Sequence, residues 1–328
     1  MHRIDETNKS YLVKQKDLNQ FKDNSFKTID IADGVKAVIG IPNIRDISDI
    51  AYTNTNKKTL PFINVFRKVI RVEKVFDQDM IDLLNTTSTN IISALKKERK
   101  IIKVTDAYTE EELATAINEY KVIINKELNK FEKSAIAIGD VQVKEGALTT
   151  VIGLGSLLDV SKTLSSDTDK ALLQFFQGAS KDAMIGLRAD IQKSIISQIQ
   201  DDFLNGESER KIISNVKGYF KNTQINVPEK VVNGQVVRKA YTRTMTARNR
   251  AQLITRNLIK QTYTQYADKR YKEAGVKKLE YLTARDDRVR PTHAEADGKV
   301  FSVNSPMHRA ARSLMNEINC RCITVPFF

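Results

Sequence analysis

The sequence predicts a mainly α-helical protein with long amphipathic helices, closed by a small C-terminal α+β domain that holds a short β-hairpin and sheet. Three observations carry this prediction. Six Pro, thirteen Gly and no Trp in 328 residues otherwise rich in Leu, Ile, Ala, Lys and Glu suit long helices better than a sandwich or barrel. Between Pro61 and Phe203 apolar residues recur at the spacing of an amphipathic helix. Strand-like runs with Asn-Gly and Asp-Gly turns gather after Gly206.

Taken in order, residues 1–60 mix short polar and apolar pieces without a sustained period and read as an extended N-terminal arm. Residues 61–204 read as a helical scaffold domain. Within it, Thr109-Glu110-Glu111-Glu112 fits a capping box, in which the Thr hydroxyl accepts from the Glu112 amide and the Glu112 carboxylate reaches back. Leu113, Ala116, Ile117, Tyr120, Ile124, Leu128 and Phe131 follow on one face, so a long helix starts near Glu110. Leu172, Phe176, Ala179, Ala183, Leu187, Ile191, Ile195, Ile199 and Phe203 form a second stripe that ends before Asn205-Gly206. Gly178 and Gly186 inside it each cost about 1 kcal/mol against Ala in an exposed helix, which points to close helix packing there. The stretch VIGLGSLLDV (151–160) has two of the three glycines of a dinucleotide loop and reads as a helix–helix connection.

Residues 205–328 form the third domain. Val231-Val232-Asn233-Gly234-Gln235-Val236-Val237 is a hairpin signal, because Asn-Gly takes the positive φ values of a tight two-residue turn. From Lys230 to Ala267 there are eight Lys or Arg and no acid. On a helix here Arg248, Gln252, Arg256 and Lys260 line one ridge, with Ala247, Ala251, Ile254, Leu258 and Tyr266 facing inward. Arg248, Arg256 and Lys260 are therefore candidate phosphate contacts, the alternative being an ordinary solvated face. The net charge of +13 and pI near 9.5 favour a polyanionic partner, with nucleic acid the one to test. No apolar run is long enough to span a membrane and the N-terminus lacks the apolar core of a signal peptide, so a soluble protein made in the cytoplasm is expected.

Near the C-terminus the residues turn chemical. Lys278–Thr283, Lys299–Val303 and Ile323–Pro326 read as strands of a small sheet, with Asp297-Gly298 as a tight turn. Asp286, Asp287, Arg288, Arg290 and His293 share one loop, and Cys320 and Cys322, the two cysteines of the chain, arrive beside it. Their spacing is poor for a mutual disulfide. Three readings stay open. His293, Cys320 and Cys322 are soft ligands for zinc, with Asp286, Asp297 or His308 as a fourth. His293-Ala294-Glu295 matches half of the zinc-deaminase signature, but Asn319-Cys320-Arg321-Cys322 lacks the Pro-Cys-x-x-Cys half. In the third, structural reading Asp286, Arg288, Arg290 and His293 hold the loop, Asp297-Gly298 makes the turn, and both thiols pack as small apolar groups anchoring the last strand.

The series Tyr281-Leu-Thr-Ala-Arg-Asp286-Asp-Arg288-Val-Arg290-Pro-Thr-His293, then Asp297-Gly298, then Asn319-Cys320-Arg321-Cys322, resembles the head-morphogenesis domain of tailed bacteriophages, the family typified by the Mu F minor head protein. The resemblance covers about the last 120 residues. The chain departs from some members in having Arg290-Pro291-Thr292-His293 where they have Cys-x-x-Cys, and it has Arg256-Asn257-Leu258 where many have Arg-Thr-Glu. The resemblance implies a low-copy, non-enzymatic virion protein near the portal vertex that assists head assembly, DNA packaging or DNA ejection. The rival is a zinc-dependent enzyme or a toxin-like effector built on the same domain; the six residues after Cys322 lead one to expect no toxin module behind it.

Overall fold

The computed structural model describes residues 11–14, 26–32, 35–40, 58–98, 109–220, 223–227, 230–232, 235–238, 241–284 and 288–327. Helix dominates them, as expected from composition and periodicity. In the segment read as an arm, β1 (Tyr11–Lys14), β2 (Phe26–Ala32) and β3 (Val35–Gly40) form an antiparallel sheet in the order β1-β3-β2. Asp33-Gly34 between two β-branched runs is the hairpin signal that the search for a long period passes over.

The three long helices are α1 (Leu60–Glu98), α2 (Glu110–Leu158) and α3 (Asp167–Leu204). They are followed by α4 (Glu209–Tyr219), strands β4 (Thr223–Val227), β5 (Lys230–Val232), β6 (Gln235–Arg238) and β7 (Tyr241–Met245), and α5 (Ala247–Glu273). The C-terminal part adds β8 (Lys278–Leu282), the one-turn α6 (Pro291–Ala294), β9 (Val300–Ser302), α7 (Pro306–Met315) and β10 (Ile323–Pro326). Two compact units divide these elements. One gathers Met1–Val72, Glu145–Leu172 and Ile259–Phe328, and the other Glu73–Lys144 and Leu173–Leu258.

In the second of these units α2 starts as its capping box dictates. The Thr109 amide donates to Glu112 Oε2 at 2.9 Å and the Glu112 amide to Thr109 Oγ1 at 3.3 Å. Tyr120, Ile124, Leu128 and Phe131 are then buried on one face. On α3 the buried stripe runs through Phe176, Met184, Leu187, Ile191, Ile195, Ile199 and Phe203, ending at Gly206 with φ +73°. Tyr120 packs edge-on against Phe203 at 5.6 Å and donates to Glu209 of α4 at 3.2 Å. Ser208 caps α4 by accepting from the Lys211 amide. β5 and β6 pair antiparallel with Val232 opposite Gln235, the two-residue hairpin expected at Asn233-Gly234, which itself lies outside the described residues. β4 and β7 pair around it in sequence, from Thr223↔Met245 to Val227↔Tyr241.

Gly178 and Gly186 correct the expectation of close packing on α3: a Cβ at either would meet nothing within 4 Å. The tight contacts lie on α2 instead. A Cβ at Gly139 would collide with Ser180, and in the other unit one at Gly153 would lie 2.8 Å from both methyls of Val65. VIGLGSLL is thus the last two turns of α2, and the connection to α3 begins at Asp159.

In the first unit Phe62, Phe66 and Val69 of α1, Val151 and Leu154 of α2 and Tyr263, Tyr266 and Tyr271 of α5 are buried. Phe66 meets Tyr263 at 4.7 Å and Phe62 meets Tyr271 at 6.3 Å. Arg270, fully buried, donates to Asp169 at 3.2 Å and to Thr163 O at 3.1 Å. Burial pushes the Asp169 carboxyl up, but hydrogen bonds from Ser166, Lys269 and Arg270 outweigh it and hold the group below its ordinary value. The C-terminal sheet has the order β10-β8-β9, all antiparallel, with Tyr281 opposite Thr324 and Leu279 opposite Phe301. Pro326 sits on the edge strand β10, where its missing N–H costs no ladder bond. Tyr271 of α5 ties the sheet to the helix by donating to Thr324 O at 3.2 Å.

Candidate functional site

The C-terminal sheet and its loops bring His293, Cys320 and Cys322 together. Pro291 holds Arg290 in an extended conformation at φ −67°, ψ 148°, and starts the single turn of α6, whose His293 amide donates to Arg290 O at 2.9 Å. That turn points the His293 ring inward, 2% exposed. Asn319 takes the left-handed conformation at φ +62°, which Asn tolerates better than most residues, and redirects the chain after α7. Beyond it Cys320 and Cys322 are buried while Arg321 between them is half-exposed. A Cys-x-Cys spacing thus puts both sulfurs on one face.

The side-chain geometry is closed. His293 Nδ1 lies 3.3 Å from Cys322 Sγ, 3.6 Å from Cys320 Sγ and 3.2 Å from the Tyr281 hydroxyl. Its other nitrogen, Nε2, lies 3.3 Å from Glu317 Oε2, and Arg290 Nη1 holds the same oxygen at 3.1 Å. Arg290 Nη2 also donates to Ile318 O at 2.7 Å. The Cys322 amide donates to Cys320 Sγ at 3.4 Å. Cys322 gives its proton to a hydrogen bond with Cys320, and this bond, helped by the charge of Lys260 and opposed by burial, pulls the Cys320 thiol down to about 5. Cys322 is pushed up correspondingly, since ionising it would lose that bond. Burial, reinforced by the neighbouring Cys322, keeps the Tyr281 phenol protonated.

Lys260 of α5 is 6% exposed, and its Nζ has no hydrogen-bond partner among the described residues. This corrects the phosphate-facing ridge expected on α5. Ala247, Ala251, Ile254, Leu258 and Tyr266 are buried as read, and Arg248 is exposed. Arg256, however, pairs with Glu73 at 3.0 Å, and Lys260 lies within the protein, where no phosphate can reach it. A four-residue step drifts around a straight helix of 3.6 residues per turn, so the ridge leaves the solvent side by its fourth member.

Among the candidates for a fourth ligand, Asp286 lies outside the described residues. Asp297 and His308 are engaged elsewhere. Asp297 Oδ1 accepts from the Thr283 amide at 2.8 Å, beside Gly298 at φ +74°, whose amide donates to Tyr281 O at 2.8 Å. His308 stacks on Phe301 at 5.6 Å, and its Nδ1 accepts from the Asn304 amide at 3.0 Å. Arg288 is exposed, and so is Glu295, the acid of the half-matched deaminase signature, whereas the cluster is buried. Glu317 and Tyr281 carry much of the geometry and were not singled out from the sequence. Glu317 sits two residues before the Asn-Cys-Arg-Cys run, and Tyr281 is an inward position of a strand, signals too common to point to a site.

Residues 192–325, from within α3 to the last strand, match the family described as phage Mu protein F like protein. An uncharacterized protein of Haemophilus influenzae is 32% identical over 81 residues, which is 25% of this chain and 18% of that protein's own length. No solved structure matches the chain. Among the described residues, no helix is long and apolar enough to cross a membrane.

Proposed function

We propose that the protein is a minor head component of a tailed bacteriophage. It is made in the host cytoplasm, is carried in the virion with the portal and other head proteins, and assists head assembly, DNA packaging or delivery. The observation that carries this reading is the match of residues 192–325 to the phage Mu F-like family. On this reading residues 1–60 are the N-terminal arm, 61–204 the helical scaffold and 205–328 the head-morphogenesis module, as lengths of sequence that the two compact units cut across. A non-enzymatic role is supported by the way the C-terminal cluster spends its polar groups on one another: Arg290 holds Glu317, Glu317 holds His293, and His293 meets Tyr281 and both thiols. The deaminase-like reading casts Glu295 as its acid, and Glu295 is exposed whereas the His293, Cys320 and Cys322 cluster is buried.

Double-stranded DNA is a partner on this proposal because of the charge of +13 and the acid-free stretch from Lys230 to Ala267. The test is direct. Mass spectrometry of purified virions and affinity purification of the portal should both recover the protein in low copy. Absence from virions and from portal complexes alike would sink the proposal.

A further inference from the structure

We infer that His293 Nδ1, Cys320 Sγ and Cys322 Sγ are the protein ligands of a zinc-class divalent cation that staples the α6 turn to the final strand. The inference does not depend on the head-protein reading. The three ligand atoms lie within 4.8 Å of one another and belong to buried residues. That separation is close enough for one ion to reach all three after small rotations about their side-chain bonds, given bond lengths of about 2.0–2.3 Å.

The orientation of the imidazole is what raises the cluster above chance packing. A carboxylate on one ring nitrogen holds the proton there and leaves the lone pair of the other for a metal. Glu317 Oε2 does this at Nε2, at 3.3 Å, and is itself fixed by Arg290. Nδ1 then faces both sulfurs. The Tyr281 hydroxyl, 3.2 Å from Nδ1, is free to swing its hydrogen to a thiolate once a cation takes that lone pair. Two sulfurs and one imidazole select zinc over the oxygen-seeking magnesium and calcium. Among the described residues Asp297 and His308 have other partners, so His293, Cys320 and Cys322 are the three protein ligands there. A cation at this place joins the α6 turn to the Asn-Cys-Arg-Cys run and β10, closing a sheet whose three strands are only five, three and four residues long. For so small a sheet the free energy of metal binding is free energy of folding.

The full chain, purified under reducing conditions and stripped with a chelator, is titrated with Co²⁺ as the probe and then with Zn²⁺. A sulfur-to-cobalt charge-transfer band should saturate at one ion per chain and vanish as Zn²⁺ displaces it. The double variant Cys320→Ser, Cys322→Ser should lose the band. Glu317→Gln, which keeps all three ligands, should retain the band but bind about 10–100-fold more weakly. A folded wild-type chain that shows no band, or a double variant that keeps it, overturns the inference. Should the double variant fail to fold, Glu317→Gln decides: unchanged affinity overturns the inference, and weakened affinity upholds it.

Discussion

Asp268, His308 and Arg312 set a pH dependence that belongs to single residues. Burial pushes the Asp268 carboxyl up to about 6 even though Arg312 pairs with it. A carboxyl raised on folding stabilises the native state below its unfolded pKa, and that contribution is lost as pH rises through the folded value. His308 runs the other way. Burial, then the charges of Arg312 and Lys272, lower its pKa from 6.5, so its contribution is present above that value and is lost as pH falls. Asp268→Asn should therefore gain stability relative to the wild type as pH rises from about 4 to about 6, as read by denaturant unfolding at both ends of that window. A constant difference would mean that the carboxyl is not raised. Lys260 offers a second test at this scale. In metal-free protein, Lys260→Met should raise the apparent pKa of the thiol pair, followed by thiolate absorbance, because a positive charge that favours the anion is removed. An unmoved titration would show that its charge does not reach the sulfurs.

Among the elements, glycines on α2 and α3 separate packing from propensity. Gly153→Ala should destabilise by about 1–3 kcal/mol, since the added methyl lies 2.8 Å from Val65 and must displace it. Gly178→Ala should stabilise by up to about 1 kcal/mol, since a helical Cβ there meets open space and the gain in propensity stands alone. Thermal unfolding of the two variants side by side reads both signs, and a stabilised Gly153→Ala would refute the close approach of α2 to α1. The capping box at Thr109 was legible because its partners lie three residues apart and need nothing beyond the local chain. The role of each glycine was not, because an amphipathic period says which face is inward and nothing about how near the facing helix comes.

At the scale of the whole molecule, charge is the property that reaches a partner. The chain carries +13, yet α5 keeps one arginine of the expected ridge exposed, ties another to Glu73 and buries its lysine. If the protein meets double-stranded DNA through α5, Arg248→Gln should flatten the dependence of log K on log salt by about 0.9, measured by fluorescence anisotropy across a salt series. Lys260→Gln should leave that slope alone. A slope changed by Lys260 and untouched by Arg248 would reverse the assignment.

By itself the sequence determined the helical character, the start of α2, the end of α3 at Gly206, the β5–β6 hairpin and the three C-terminal strands. These are set by period, caps and turn residues acting within a few positions of one another. It also carried the likeness of residues 192–325 to the phage Mu F-like family, because the Asp-x-Arg-Val-Arg, Asp-Gly and Asn-Cys-Arg-Cys pieces keep their order along the chain. Tertiary structure decided what those pieces do to each other. It turned His293 so that one nitrogen meets Glu317 and the other meets two sulfurs, placed Tyr281 among them, drew Lys260 inward and gave Asp297 and His308 other partners. Those outcomes depend on directions of side chains that lie far apart in the chain, such as the 27 positions between His293 and Cys320, and no local pattern encodes such a direction.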